Sequence, residues 1–172
     1  MGQFPVKQNN NMKSLNFDFD NLGGVQSLFA IPATSLQRIR TDYNTGLNYL
    51  DLKNRDDIIE LPHYANDTYS FAENHKKSDA GDAWEITIEG VAPKQCIANA
   101  DLIERLERGE WYVLALDNNG EAHWCGQEET MMLFSTSKNT GKSITERNEI
   151  AFSFSNIQTI PSVYISDVDL DS

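Results

Sequence analysis

Hydrophobic and polar positions alternate with a period of two through much of this chain, and that period predicts β-strands with one wet face. From Trp84 to Val91, Trp84, Ile86 and Ile88 share one side while Glu85, Thr87 and Glu89 share the other. Leu15 to Asp20 follows the same rule, with Leu15, Phe17 and Phe19 inward and Asn16, Asp18 and Asp20 outward. Asn21 to Gly24 then reads as a turn or a glycine bulge, followed by a short strand from Val25 to Ile31 that Pro32 ends. From Ile150 to Ser155, Phe152 and Phe154 point one way and Ser153 and Ser155 the other, and Val163 to Ile165 makes a last strand. Trp111 to Leu116 does not alternate; so short, aromatic and continuous an apolar run predicts a well-buried strand. Asn119-Gly120 after it signals a two-residue hairpin turn, in which both positions need positive φ, and Ala122 to Gly126 is the return strand.

The remaining segments are less regular. Leu47 to Leu52 and Asp57 to Pro62 read as strands joined by a tight turn over Lys53 to Asp56. Ser35 to Tyr49 fits a helix through Leu36, Ile39 and Tyr43, or a strand through Thr41, Tyr43 and Thr45. His63 to Glu73 can continue a strand, Asn74 to Asp82 reads as an exposed loop, Thr130 to Thr136 as a strand and Ser137 to Glu149 as a long loop. Gly90 to Lys94 is expected to break the strand begun at Trp84. Asp101 and Glu104 form a capping box that opens a helix over residues 101–108, with Leu102, Ile103 and Leu106 on one side and Gly109 as its stop. A helix of that size can lie across a sheet or plug the end of a sandwich. About nine strands and one short helix predict an all-β fold, an antiparallel β-sandwich or small barrel.

At 172 residues the chain is expected to form a single domain over residues 15–166, large enough to bury about two thirds of its unfolded surface without staples. Residues 1–14 carry a Gln-Asn run without a period and are expected to be a flexible arm; residues 167–172, with Asp167, Asp169 and Asp171, are expected to be a solvated acidic tail. Cys96 and Cys125 resemble no paired motif and are expected to be reduced thiols. The first residues show neither the cationic start nor the apolar core of a signal peptide, Val6 stands where a myristoylation motif needs Ser or Thr, and no apolar run is long enough for a bilayer. A soluble protein made in a reducing cytosol is the expectation. The net charge of −12 argues against tight sequence-reading contact with DNA, which rests on Lys and Arg, and suits a surface past which a polyanion slides.

Candidate chemistry is sparse. Thr136 to Ser143 ends in Gly-Lys-Ser like a phosphate-binding loop, but Thr136 stands at its first glycine and too few residues follow for a helix whose amides would hold phosphate. His63, His75, His123, Cys96 and Cys125 include the soft metal ligands, yet only His123 and Cys125 are spaced to share a strand face. The C-terminal aspartates lack a glycine turn to gather their oxygens around calcium. Trp84, Trp111 and Trp124 with Phe29, Phe71 and Phe134 could form a sugar-stacking platform, but their strand positions face inward and predict core. Gly-x-Ser-x-Gly is absent. The expectation is that the protein is not an enzyme and has no catalytic, cofactor-binding or metal-binding residues.

Several stretches carry a resemblance. They are LNFDFDNLGGVQSLFAIP at 15–32, WEITIEG at 84–90, DLIERL at 101–106, VLALDNNG at 113–120 and STSKNTGKSITERNEIAFSFS at 135–155. Together these look like small structural proteins of phages and prophages of gut Bacteroidetes, including crAss-like phages. The element order is similar to the tail-tube superfold, a β-sandwich or barrel flanked by one helix that forms stacked rings around the DNA channel. The resemblance implies a non-enzymatic virion protein, a ring-forming tail-tube, tail-terminator or neck component. It would be made in the bacterial host cytoplasm and contact copies of itself, six-fold or a multiple, and other tail or neck proteins. DNA would pass without sequence-specific binding, and no membrane would be involved. A long hairpin that closes the inner barrel is typical of the superfold, and Tyr43 to Glu73 is the candidate for it. The alternative is a monomeric carbohydrate- or surface-binding sandwich that decorates a capsid or fibre.

Overall fold

The structure, a computed structural model, describes residues 22–62, 69–93, 95–143, 146 and 148–170. The arm at 1–14, the strand expected at 15–20 and the candidate ligand His63 lie outside them. The chain is all-β with one short helix. In order the strands are β1 (Val25–Pro32), β2 (Leu36–Asp42), β3 (Leu47–Leu52), β4 (Ile59–Glu60), β5 (Ser70–Ser78) and β6 (Gly81–Pro93). The helix α1 (Ile97–Arg108) precedes β7 (Trp111–Asp117), β8 (Ala122–Cys125), β9 (Leu133–Asn139), β10 (Glu149–Gln158), β11 (Val163–Ile165) and β12 (Asp167–Leu170).

Three sheets form. The five-stranded sheet has the order β11-β8-β7-β1-β4, the four-stranded sheet β5-β6-β10-β9, and the three-stranded sheet β12-β3-β2. All described pairings between strands are antiparallel except that of β12 with β3. The five-stranded sheet lies in the middle. Its residues Leu28, Ala30, Trp111, Val113 and Ala115 pack with Ile86, Ile88, Ile150, Phe152 and Phe154 of the four-stranded sheet. Their neighbours Ile31, Tyr112 and Leu114 pack the opposite way, with Leu50 and Leu52 of the three-stranded sheet. The sandwich is therefore extended by a third layer, and β7, expected to be well buried, is buried on both faces. Helix α1 carries the chain from β6 to β7 and places Ile103 and Leu106 in the core between the two larger sheets, the plugging role open to it from sequence.

Several expectations change. The helix begins at Ile97, with Cys96 at its N-cap and no side-chain cap, so Asp101 is inside it and opens nothing. The Asp101 and Glu104 pair is also what the wet face of a helix looks like at a three-residue spacing. Asn74 to Asp82 is not a loop: β5 and β6 pair from Ser70 with Glu89 out to Ser78 with Gly81. That arm is polar because its tip runs beyond the core, where both faces meet water. Tyr43 to Glu73 does not form one long hairpin, because β3, β4 and β5 fall into three different sheets. Lys53 to Asp56 consequently joins sheets and closes no hairpin. Ser35 to Tyr49 resolves into strand β2 and a turn, β9 starts later than Thr130 and runs on to Asn139, and twelve strands are present among the described residues where about nine were expected from the pattern. Gly120 donates its N–H to the Asp117 carbonyl, which makes the β7–β8 connection a three-residue loop with Gly120 at φ +85°. Asp167 to Leu170, expected in a solvated tail, pairs with Tyr49 to Leu52.

Gly90 does not interrupt β6. A Cβ there would meet Tyr69 Cδ1 at 2.4 Å and Phe152 Cζ at 2.6 Å, so the missing side chain is what lets two rings lie over the strand. Gly90→Ala is expected to lower unfolding stability by about 1–3 kcal/mol through overpacking. Gly23→Ala, with nothing within 4 Å of the added Cβ, should change it by less than about 0.5 kcal/mol in the same urea titration.

Candidate assembly surface

Because β9, β10, β6 and β5 alternate, one face of the four-stranded sheet is core and the other is open. The open face presents Ser135 and Ser137 from β9, Ala151, Ser153 and Ser155 from β10, and Thr87 and Glu89 from β6. Ser135 and Ser153 Oγ atoms lie 2.8 Å apart across the ladder. Two large aliphatic side chains interrupt this small polar field: Leu133 is 73 % exposed and Ile157 58 %. Leu133 stands opposite Ser155, two residues from Ile157, so the two are diagonal neighbours beside the edge strand β9. Among the described residues β9 pairs only with β10 along its length, which leaves its other row of backbone groups without a strand.

The opposite edge is β5. Its hairpin with β6 is held by cross-strand pairs: the rings of His75 and Trp84 stack with centroids 4.7 Å apart, and Lys76 is ion-paired with Glu85. His75 Nε2 is also 3.4 Å from Asp82 Oδ1. Closer to the core, Glu73 Oε2 accepts the Ser162 N–H at 2.7 Å, which ties β5 to the segment before β11.

Two polar clusters fix the neighbouring layers. Asp51 on β3 is buried although it faces away from Leu50 and Leu52. Arg38 Nε donates to its Oδ2 at 2.7 Å and Arg40 Nη2 reaches Oδ1 at 3.5 Å, while the Arg40 guanidinium also sits 4.9 Å from the centre of the Tyr49 ring. The Arg38 bond, with Arg40 behind it, outweighs the desolvation of burial and holds the Asp51 carboxyl below the usual carboxylate range. At the end of β10, Gln158 Oε1 accepts from the Gly126 N–H at 3.1 Å and from Asn156 Nδ2 at 3.0 Å, and Gln158 Nε2 donates to the Ile160 carbonyl at 2.8 Å. This lock joins the exit of β8 to the exit of β10.

The residues singled out from sequence do not converge. His123 is buried between the rings of Phe71 and Tyr164, with its Nε2 3.4 Å from Asp117 Oδ2. Cys125, two residues away on the same face of β8 as expected, is buried in the core, and burial followed by the charge of Glu73 pushes its thiol up. Cys96 is half-buried at the start of α1, and His75 is on the hairpin. Among the described residues no three His, Cys, Asp or Glu side chains are grouped to hold a metal ion. Thr136 to Asn139, the start of the Gly-Lys-Ser stretch, is strand paired with β10, and no described helix follows Ser143. Trp111 and Trp124 are core, and Trp84 is half-buried against His75. Sequence reading missed Leu133, Ile157 and the Asp51 cluster. The alternation of β10 carries a signal for Ile157, which falls on the register of Ser153 and Ser155.

No helix among the described residues is long and apolar enough to cross a membrane. Compared with known proteins, the chain matches no family model, no curated protein and no solved structure.

Two outcomes follow from this geometry. Asp51 has a lowered folded value, so its contribution to stability is complete above its ordinary value of 3.8 and is lost as pH falls through the folded one. Asp51→Asn should be less stable than the parent at pH 7, and the difference should shrink as denaturation midpoints are followed down through the acid range. In native protein, iodoacetamide should alkylate Cys96 and leave Cys125 unmodified until denaturant is added, as read by peptide mass.

Proposed function

We propose that this chain is a non-enzymatic structural protein of a tailed phage, a ring-forming tail-tube, tail-terminator or neck component through which DNA passes. The observation that carries the reading is the open edge of β9 with Leu133 and Ile157 beside it. Among the described residues, a lone copy leaves one row of β9 backbone groups without a strand and two aliphatic side chains exposed; a neighbour seated on that edge would cover all of them. A head-to-tail contact uses two different surfaces and closes into a ring when its rotation returns on itself. The other surface is the far side of the same sheet, where the β5–β6 hairpin projects.

The resemblance to structural proteins of Bacteroidetes phages and prophages, crAss-like phages included, supports a place in the virion, with assembly from copies made in the host cytoplasm. Six-fold symmetry or a multiple follows by analogy with the tail-tube superfold, and other tail or neck proteins would be the axial partners. The net charge of −12 suits a channel that repels phosphate and holds no sequence. The carbohydrate-binding alternative has one observation in its favour, the half-buried Trp84. That ring already has one face against His75, and the other two tryptophans are core.

Sedimentation velocity on the full chain, with negative-stain images of the same sample, tests this reading. Closed rings are expected, and Leu133→Asp combined with Ile157→Asp should convert them to folded monomers. Monomers of the parent chain, in solution and within particles, would overturn it.

A further inference from the structure

The chain enters β1 through a clamp on the β7–β8 loop. Leu22 N–H donates to Asn119 Oδ1 at 3.0 Å, and Asn119 Nδ2 returns a bond to the Leu22 carbonyl at 3.1 Å. Beside them Asn118 Nδ2 donates to the Gly23 carbonyl at 2.6 Å, and Asn118 N–H donates to the Gly24 carbonyl at 3.2 Å. Together these bonds hold Leu22 to Gly24 immediately ahead of the bridge between Val25 and Tyr69. The side-chain amide of Asn119 acts here as a second backbone would, giving one donor and one acceptor to the same residue. An ionised carboxylate accepts only and cannot take its place.

The amide that makes this clamp is also chemically labile, because Gly120 follows it. The sequence holds no second Asn-Gly pair. A backbone nitrogen can attack the side-chain carbonyl carbon of the residue before it, and glycine puts no Cβ in the way. Gly120 N then bonds to Asn119 Cγ, the Cγ–Nδ2 bond breaks, and ammonia leaves with the proton given up by Gly120 N. Water opens the resulting cyclic imide at one carbonyl or the other, leaving aspartate or isoaspartate. Both residues are exposed, so water and base can reach them. The folded loop restrains both reacting groups: Gly120 N–H is donated to the Asp117 carbonyl at 3.1 Å, and the Asn119 side chain is tied to Leu22.

We propose that Asn119-Gly120 is a site of spontaneous deamidation gated by the clamp on Leu22 to Gly24, and that its conversion opens the clamp irreversibly. Reaction has to wait until the loop releases the Gly120 N–H and Asn119 swings off Leu22, so its rate reads how often the clamp opens. Once the amide is gone, the Leu22 carbonyl faces an acceptor where it had a donor. In isoaspartate the backbone itself runs through the former side chain, which moves the remaining oxygen off Leu22. The inference concerns a single copy and stands apart from the assembly reading.

Peptide mass mapping of the full chain at mildly alkaline pH, with isoaspartate measured by enzymatic methylation, tests the gate. Asn118→Ala removes the neighbouring bond to Gly23 and should deamidate at Asn119 at least about fivefold faster than the native parent. In urea the two chains should react at equal rates, faster than either does when folded. Equal rates in the two folded chains, or a folded parent that reacts as fast as the unfolded one, would overturn the gate. Absence of deamidation at Asn119 from all samples would overturn the site. The opening is read separately by residue-level hydrogen exchange on Asn119→Asp. Protection of the Leu22 and Asn118 amides should fall at least about fivefold, with that of Val113 in the core unchanged. Full protection retained at both amides would overturn the opening.

Discussion

One sheet serves two cores, and that requirement governs the rest of the molecule. A strand in a two-layer sandwich needs apolar residues on alternate positions only. In β7 and β1 every central position is apolar, because Trp111, Val113 and Ala115 meet one neighbouring layer while Tyr112 and Leu114 meet the other. Burial on this scale removes backbone amides from water on both faces, so the ladder between β1 and β7 has to be complete through the core. It runs from Ser27 with Leu116 to Pro32 with Trp111 without a break.

The flanking layers are free of that demand, and each uses its outer face differently. The four-stranded sheet keeps a field rich in serine, threonine and alanine, interrupted by Glu89, Leu133 and Ile157. The three-stranded sheet places a carboxylate there and covers it with two arginines from the adjacent strand. Such a cluster specifies register: a slip of one residue between β2 and β3 would bring Leu50 or Leu52 under the guanidiniums and leave Asp51 facing the core. Polar side chains near the edges of the core act in the same way, as with Gln158 holding the Gly126 amide.

Strand identity was legible wherever one face is wet and the other dry, as for Trp84 to Val91 and Ile150 to Ser155, and wherever both are dry, as for Trp111 to Leu116. Where both faces are wet the pattern falls silent, so the β5–β6 arm looked like a loop until its pairing was seen. Partnership was less legible than strandedness. Nothing local to Lys53 to Asp56 says that its flanking strands part into different sheets, because that choice is made by Leu50, Leu52 and Ile59 finding different cores. The helix was recognised by Leu102, Ile103 and Leu106, and its start was misplaced because an Asp-x-x-Glu spacing serves equally as cap and as solvated turn. Of the candidate surface, the serine register was visible in β10. The edge position of β9 was not, since being outermost is a property of the sheet and not of the strand.

The parallel pairing of β12 with β3 has a consequence for how the protein comes to be made. During translation, β3 leaves the ribosome about 120 residues ahead of its partner, which at typical elongation rates means roughly 6 to 24 seconds. Throughout that interval Leu50 and Leu52 belong to a nascent two-stranded ribbon that lacks its third member. Chaperone dependence should therefore be concentrated on this layer, and codon choice between β3 and β12 sets how long the exposure lasts.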